Sequence, residues 1–220
     1  MFSSNTPIKL GKIVVIFVLL ITCWQAAKIL LVAFFSLKAE QEFGSALHDA
    51  ASRARVSSYL SQAQQFDPKD PDIQLSLGRL QMMNPVRLEN ANLGAALIHY
   101  RNASALQPHR ALAWANIFVV KTGLKTFDLE RQEALEKAAL YGGWDPEVQY
   151  LIVDAGTRAW LQATRHDRVQ IIDMATRGLV TRSRYRRAQL ENLLRTRGFE
   201  ALVCGELIHQ AKESAFCPDL

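Results

Sequence analysis

The chain of 220 residues holds few side chains placed to do chemistry, and each has a plain structural role beside it. Glu206 and His209 stand one helical turn apart, the spacing of a metal ligand and its helper, but a lone pair of this kind is ordinarily a solvated helix face. His166 and Asp167 adjoin in a polar stretch read as a break between helices, where a loop role outweighs a catalytic dyad. Ser183 lies among arginines with no histidine near it in sequence to take its proton. The glycine patterns that cradle phosphates are absent, and Gly142-Gly143 reads as an interhelix turn. No catalytic residue, metal ligand set or cofactor is therefore expected, and the chain reads as a binding protein rather than an enzyme.

The residues suited to recognition are more numerous. The net charge of +5 is uneven, with nine arginines between Arg165 and Arg197. Its densest part is Arg182, Arg184, Arg186 and Arg187, a candidate contact for anionic lipid, an acidic protein face or an anionic glycan. The competing reading is a solvated helix face partly neutralised by Asp167, Asp173, Glu191 and Glu200. Of the later tryptophans, Trp114 and Trp144 occupy positions where an aromatic ring fills the space between helices. Trp160, near the end of its helix, is the one expected at the surface, so it joins the four arginines as the candidate interaction surface.

Three cysteines set the redox question. Cys23 lies in an apolar run and is a poor partner. Cys204, in a helical stretch, and Cys217, in the tail, are the pair that an oxidising compartment would join, pinning Phe216 back onto the last helix. The alternative is a buried Cys204 and a free thiol at Cys217.

These residues are positioned by what precedes them. Ile13 to Phe35 reads IVVIFVLLITCWQAAKILLVAFF, interrupted only by Thr22, Gln25 and Lys28. As a helix it is about 34 Å long, enough to cross a bilayer. The division expected is a cytoplasmic tail over 1–12, a membrane anchor over 13–35, a helical domain over 36–200 and a C-terminal helix and tail over 201–220. Lys9 and Lys12 precede the run with no acidic residue, whereas Lys38, Glu40 and Glu42 follow it, so the domain is expected outside the cytoplasm. In a bacterium that is the periplasmic side of the inner membrane, and nucleic acid drops out as a partner. Cleavage as a signal peptide is the alternative; the apolar run continues past Ala26-Ala27 and favours a retained anchor.

About 185 residues remain, enough to bury a core without staples. Their apolar spacing is near 3.6 throughout and no alternating strand occurs, so the domain is expected to be all-α. Ala46, Leu47, Ala50, Ala54 and Leu60 suit one helix face and Ile73, Leu75, Leu77 and Leu80 another, divided by Asp67-Pro68-Lys69-Asp70-Pro71. The sequence also repeats. Asp70-Pro71-Asp72-Ile73-Gln74 returns 75 positions later as Asp145-Pro146-Glu147-Val148-Gln149, and Gln107-Pro108-His109-Arg110-Ala111 lies between them. Small residues precede the breaks at one offset (Ala63, Ala103, Ala138), and Leu77, Ile117 and Ile152 follow them. A unit of about 35 to 40 residues results.

These units resemble the tetratricopeptide repeat. The middle one matches best, through Ala96, Tyr100, Ala103, Pro108 and Trp114, and Leu77-Gly78 supplies the Leu-Gly pair of the first. Phe118 and Val153 stand where that glycine would recur, and Gly143 replaces a closing proline. The resemblance implies a stack of helical hairpins burying a continuous core, with a generic helix bundle as the alternative. One anchor, divergent repeats and the stretch Ala138 to Gln149 (AALYGGWDPEVQ) together resemble the VpsP family of polysaccharide biosynthesis proteins. That likeness covers roughly Val14 to Arg187. It implies a tethered scaffold that holds protein components of an exopolysaccharide machine, or an accessory protein that binds an anionic glycan through its arginines. It carries no catalytic residues.

Overall fold

The computed structural model describes residues 6–47, 49–83, 92–180, 183–209, 216 and 217, with side chains from residue 12 onward. Among these are ten α-helices and no strand. They are α1 (Thr6–Ala46), α2 (Ala50–Phe66), α3 (Pro71–Met82), α4 (Leu93–Leu106), α5 (Ala111–Gly123), α6 (Leu129–Gly142), α7 (Pro146–Arg158), α8 (Arg165–Leu179), α9 (Arg184–Thr196) and α10 (Glu200–His209). A short 3₁₀ turn, Trp160–Gln162, joins α7 to α8.

The helix starts follow local chemistry. Asp49 accepts hydrogen bonds from the amides of Ala51 and Ser52, Asp70 from Asp72 and Ile73, and Asp145 from Glu147, each satisfying orphan donors of a first turn. Pro71 and Pro146 occupy first-turn positions where a missing N–H costs nothing. Thr164 and Asp167 form a reciprocal capping box at the start of α8.

The first hairpin corrects the helix face read across Ala46 to Leu60. α1 ends at Ala46 and α2 starts at Ala50, so those residues belong to two antiparallel helices; Leu47, Ala50 and Ala54 are exposed, and the core face of α2 is Ser52, Val56, Leu60 and Ala63. The Asp49 cap lets the chain reverse there, a signal that apolar spacing alone does not carry.

α1 also runs through the expected anchor boundary at Phe35. Its 41 residues make a helix about 61 Å long. From Lys12 to Leu31 it is exposed except at Lys28, and it is the one helix among the described residues long and apolar enough to cross a membrane. Its last third packs instead. Ala39, Phe43 and Ala46 join Val56, Leu60, Ala63, Ile73, Leu77 and Leu80 in a first apolar cluster, and Phe35 stacks on Phe66 with centroids 6.1 Å apart. The helix that carries the apolar run is thus also half of the first hairpin.

From there α3 packs on α4, α5 on α6 and α7 on α8, while α5 touches α7 and α7 touches α9 across the hairpins. α3 faces both ways, giving Ile73, Leu77 and Leu80 to the first cluster and Leu75 to a second that extends to Phe216. A close approach explains Gly78: a Cβ there would come within 2.5 Å of the Tyr100 ring, which is buried between α3 and α4. The C-terminal region 201–220 is likewise no appendage, because Val203, Cys204, Leu207 and Phe216 belong to the second cluster.

Because the helices alternate in direction, the turns sort onto two edges. The α2–α3, α4–α5, α6–α7 and α8–α9 turns share one, here the lower edge. Contacts run along it: Arg110 pairs with Asp72, the His109 and Tyr141 rings meet edge-on at 4.9 Å, and a Cβ on Gly142 would come within 2.6 Å of the Ala111 methyl. The α1–α2, α3–α4, α5–α6, α7–α8 and α9–α10 turns form the upper edge.

Candidate functional site

Trp160 and the described arginines of the expected surface do not share one face. Arg182 lies outside the described residues. Arg184 and Arg186 are exposed at the start of α9, on the lower edge, and Arg187 is half-buried in an ion pair with Glu191 at 3.5 Å. Trp160 is on the upper edge, half-buried, with the Phe199 ring 4.9 Å away and the Arg168 guanidinium 5.2 Å from its own ring. The 15 residues of α8, about 22 Å of helix, separate the two ends. The described arginines of this third therefore face opposite edges, because the lengths of α8 and α9 lie between them.

Beyond α1 the exposed tryptophan is Trp144, 68% accessible, with the Arg177 guanidinium 5.6 Å from its ring centroid. This overturns its assignment to packing. It precedes the capping Asp145 as Lys69 precedes Asp70, and Lys69 too is exposed on a turn; that offset was visible in the sequence. Trp114 is half-buried: its indole N–H donates to the Pro108 carbonyl at 2.7 Å and Lys137 lies 4.1 Å from the ring.

The remaining candidates resolve into structure. Ser183 caps α9, accepting from the Arg186 amide. His166 and Asp167 are in the first turn of α8 rather than in a break. His166 is exposed, 3.3 Å from Glu136. Among the described residues no cluster of three or more metal-ligating side chains occurs. Cys204 and Cys217 are joined in a disulfide with Cα atoms 5.9 Å apart, and Cys23 is free and exposed on α1.

Sequence reading missed the charged interior. Arg131 and Asp167 form a buried ion pair at 3.1 Å, their side chains 2% and 3% accessible. The guanidinium lies between the rings of Phe118 and Phe127, 4.5 and 5.0 Å from their centroids, and its Nε donates to Thr122. Nearby, buried Lys121 pairs with Asp128 and Glu130, and Arg101 binds Glu130 through two hydrogen bonds. The Lys121 hydrogen bond holds the Asp128 carboxyl below its ordinary value, and the Arg101 hydrogen bond does the same for Glu130. Burial opposes the charge on Lys121, but its hydrogen bonds to both carboxylates raise its pKa overall. His99, half-buried beside Gln74 at 2.9 Å, is lowered by burial.

These shifts predict a two-stage acid profile. Groups with depressed folded pKa values stabilise the fold above their ordinary values and lose that contribution as pH falls through the folded values. The melting temperature should first fall below the ordinary histidine value of 6.5, through His99. It should fall again below 4.5 through Glu130, and further below 3.8 through Asp128. Thermal melts from pH 8 to 3 on His99→Gln and Glu130→Gln should flatten the first and second stages respectively; unchanged profiles would refute the assignment.

A cleft of about 810 Å³ opens at the upper edge, spanning the ends of α3, α5 and α7. Val119, Leu124 and Phe127 give it an apolar lining, and Lys125, Asp154 and Arg158 supply charge. Lys125 stands at φ 56°, closing α5 in a left-handed conformation. An apolar lining with charge of both signs suits a peptide or helix better than a highly charged polymer. No protein-family model matches this chain, and no curated protein matches it.

Proposed function

We propose that the protein is a membrane-tethered helical-repeat scaffold of the VpsP type, holding protein components of a bacterial exopolysaccharide machine at the periplasmic face of the inner membrane. The observation that carries this reading is the unbroken α1, an exposed apolar helix that becomes half of the first hairpin of a helical stack. A tether of that form fixes the height and orientation of the stack above the bilayer, and the upper-edge cleft presents a site to a second protein. The tetratricopeptide register is supported by the fully buried Ala63, Ala103 and Ala138 and by Tyr100 seated on Gly78. The periplasmic side is supported by the Cys204–Cys217 disulfide, a bond at home in an oxidising compartment.

The cleft provides the test. Leu124 lines it and is partly exposed, so Leu124→Glu should leave stability within about 0.5 kcal/mol. The expected outcome is loss of a protein partner that co-purifies with wild type in detergent, together with reduced exopolysaccharide output. Retained partner and output in a normally folded variant would refute the scaffold reading of this cleft.

A further inference from the structure

The direction in which α1 leaves the stack determines which edge meets the bilayer. α2 runs back along α1, so the α2–α3 turn lies beside the anchor rather than above it. A groove between them is lined by Gln25, Lys28 and Val32 of α1 and by Asp67, Asp70 and Asp72 beyond α2. Two of the three polar interruptions of the apolar run therefore face an acidic turn, not lipid. Carboxylates do not reside in hydrocarbon, so the embedded stretch ends at about Lys28 rather than Phe35. Lys12 and Lys28 are then its flanking cations, about 24 Å apart along the helix before their side chains extend outward, which suits a hydrocarbon core of about 30 Å.

The bilayer surface therefore lies at the level of the α2–α3 turn, and the rest of the lower edge continues from that turn. The residues along it are of the kinds that partition to membrane interfaces. Leu140 and Trp144 are 74% and 68% accessible; Tyr141, Tyr185, Arg184 and Arg186 are exposed with them. Arg177 lies against Trp144 and Arg186 is 5.9 Å from the Tyr185 ring centroid. Arg184 has no ion-pair partner among the described residues. Three arginines in the first turn of α9, where the helix dipole already places positive charge, raise the potential there. Trp and Tyr settle at headgroup depth, and arginines there attract anionic lipid.

We propose that the lower edge of the stack lies along the bilayer, with the α2–α3 turn held at its surface beside α1 and with Trp144, Tyr185, Arg184 and Arg186 as a far contact on anionic lipid. This rests on the reading of α1 as a membrane span. The stack is then held at two places, and its upper-edge cleft faces away from the bilayer.

The test uses the full chain carrying Cys23→Ala, reconstituted in nanodiscs of phosphatidylethanolamine and phosphatidylglycerol. Single cysteines for a fluorescent label are introduced by Lys69→Cys (near contact), Leu140→Cys (far contact) or Leu161→Cys (upper edge). Quenching by headgroup-nitroxide lipid should be strong at 69 and 140 and weak at 161. Quenching at 140 should be lost, with that at 69 retained, in pure phosphatidylcholine or with Arg184→Glu and Arg186→Glu together. Absence of quenching at 69 would sink the membrane-span reading itself. Quenching at 69 but not at 140 would overturn the edge contact alone. The same is true if the label at 140 ignores nitroxide lipid but is shielded by added polygalacturonate, which would make this edge a glycan face.

Discussion

Asp167→Ala is expected to cost about 3–5 kcal/mol of folding stability, the usual penalty for stranding one partner of a buried ion pair. The loss has a specific route. Arg131 would keep its charge inside a site bounded by Phe118 and Phe127, with Thr122 as its remaining hydrogen-bonding side chain. α8 would also lose its capping box, because the same Asp167 carboxylate accepts from the Thr164 amide. The pair bridges α6 and α8, so the damage should spread through the second half of the stack. Joint replacement by Arg131→Met and Asp167→Leu should recover most of the loss, since matched apolar side chains of similar volume avoid the desolvation cost. Denaturant unfolding of the detergent-solubilised chain decides it; a shift below about 1 kcal/mol for Asp167→Ala would mean that Arg131 finds water or another anion.

Phe216→Ala is expected to cost a further 3–5 kcal/mol or so, in the range for truncating a fully buried aromatic. Phe216 is 0% accessible and its ring lies 5.1 Å from the Arg195 guanidinium. It reaches that seat because Cys217, the next residue, is bonded to Cys204 across 13 positions. Reduction should release the tail and cost at most about 3 kcal/mol in the chain-entropy account. The two perturbations act on one event, the seating of Phe216, so they should not add. Melts of wild type and Phe216→Ala, each with and without reductant, measure the coupling. Full additivity would show that the ring and the bridge stabilise the fold independently. A stack that depends on the bridge is suited to an oxidising compartment.

The sequence by itself determined the features that are local in the chain. The Asp-Pro pairs at 70–71 and 145–146 start helices, because an aspartate caps and a proline tolerates the first turn. Apolar spacing established an all-α chain, and the apolar run from Ile13 established a helix able to cross a membrane. The tertiary structure decided everything that depends on which way a helix points. Arg184 and Trp160 are 24 positions apart but face opposite edges, because the whole of α8 runs between them. Trp144 is exposed on the turn between α6 and α7, whereas Tyr100 is buried because Gly78 makes room for its ring. Asp167 looked like a surface loop residue, and its burial required Arg131, 36 positions earlier, to arrive between two aromatic rings. Such pairings are set by helix packing across the hairpins, which the period of a single helix does not encode. The physical reason is one of range: capping and amphipathicity act over three or four residues, while exposure and charge pairing are fixed by contacts between turns that only the assembled stack brings together.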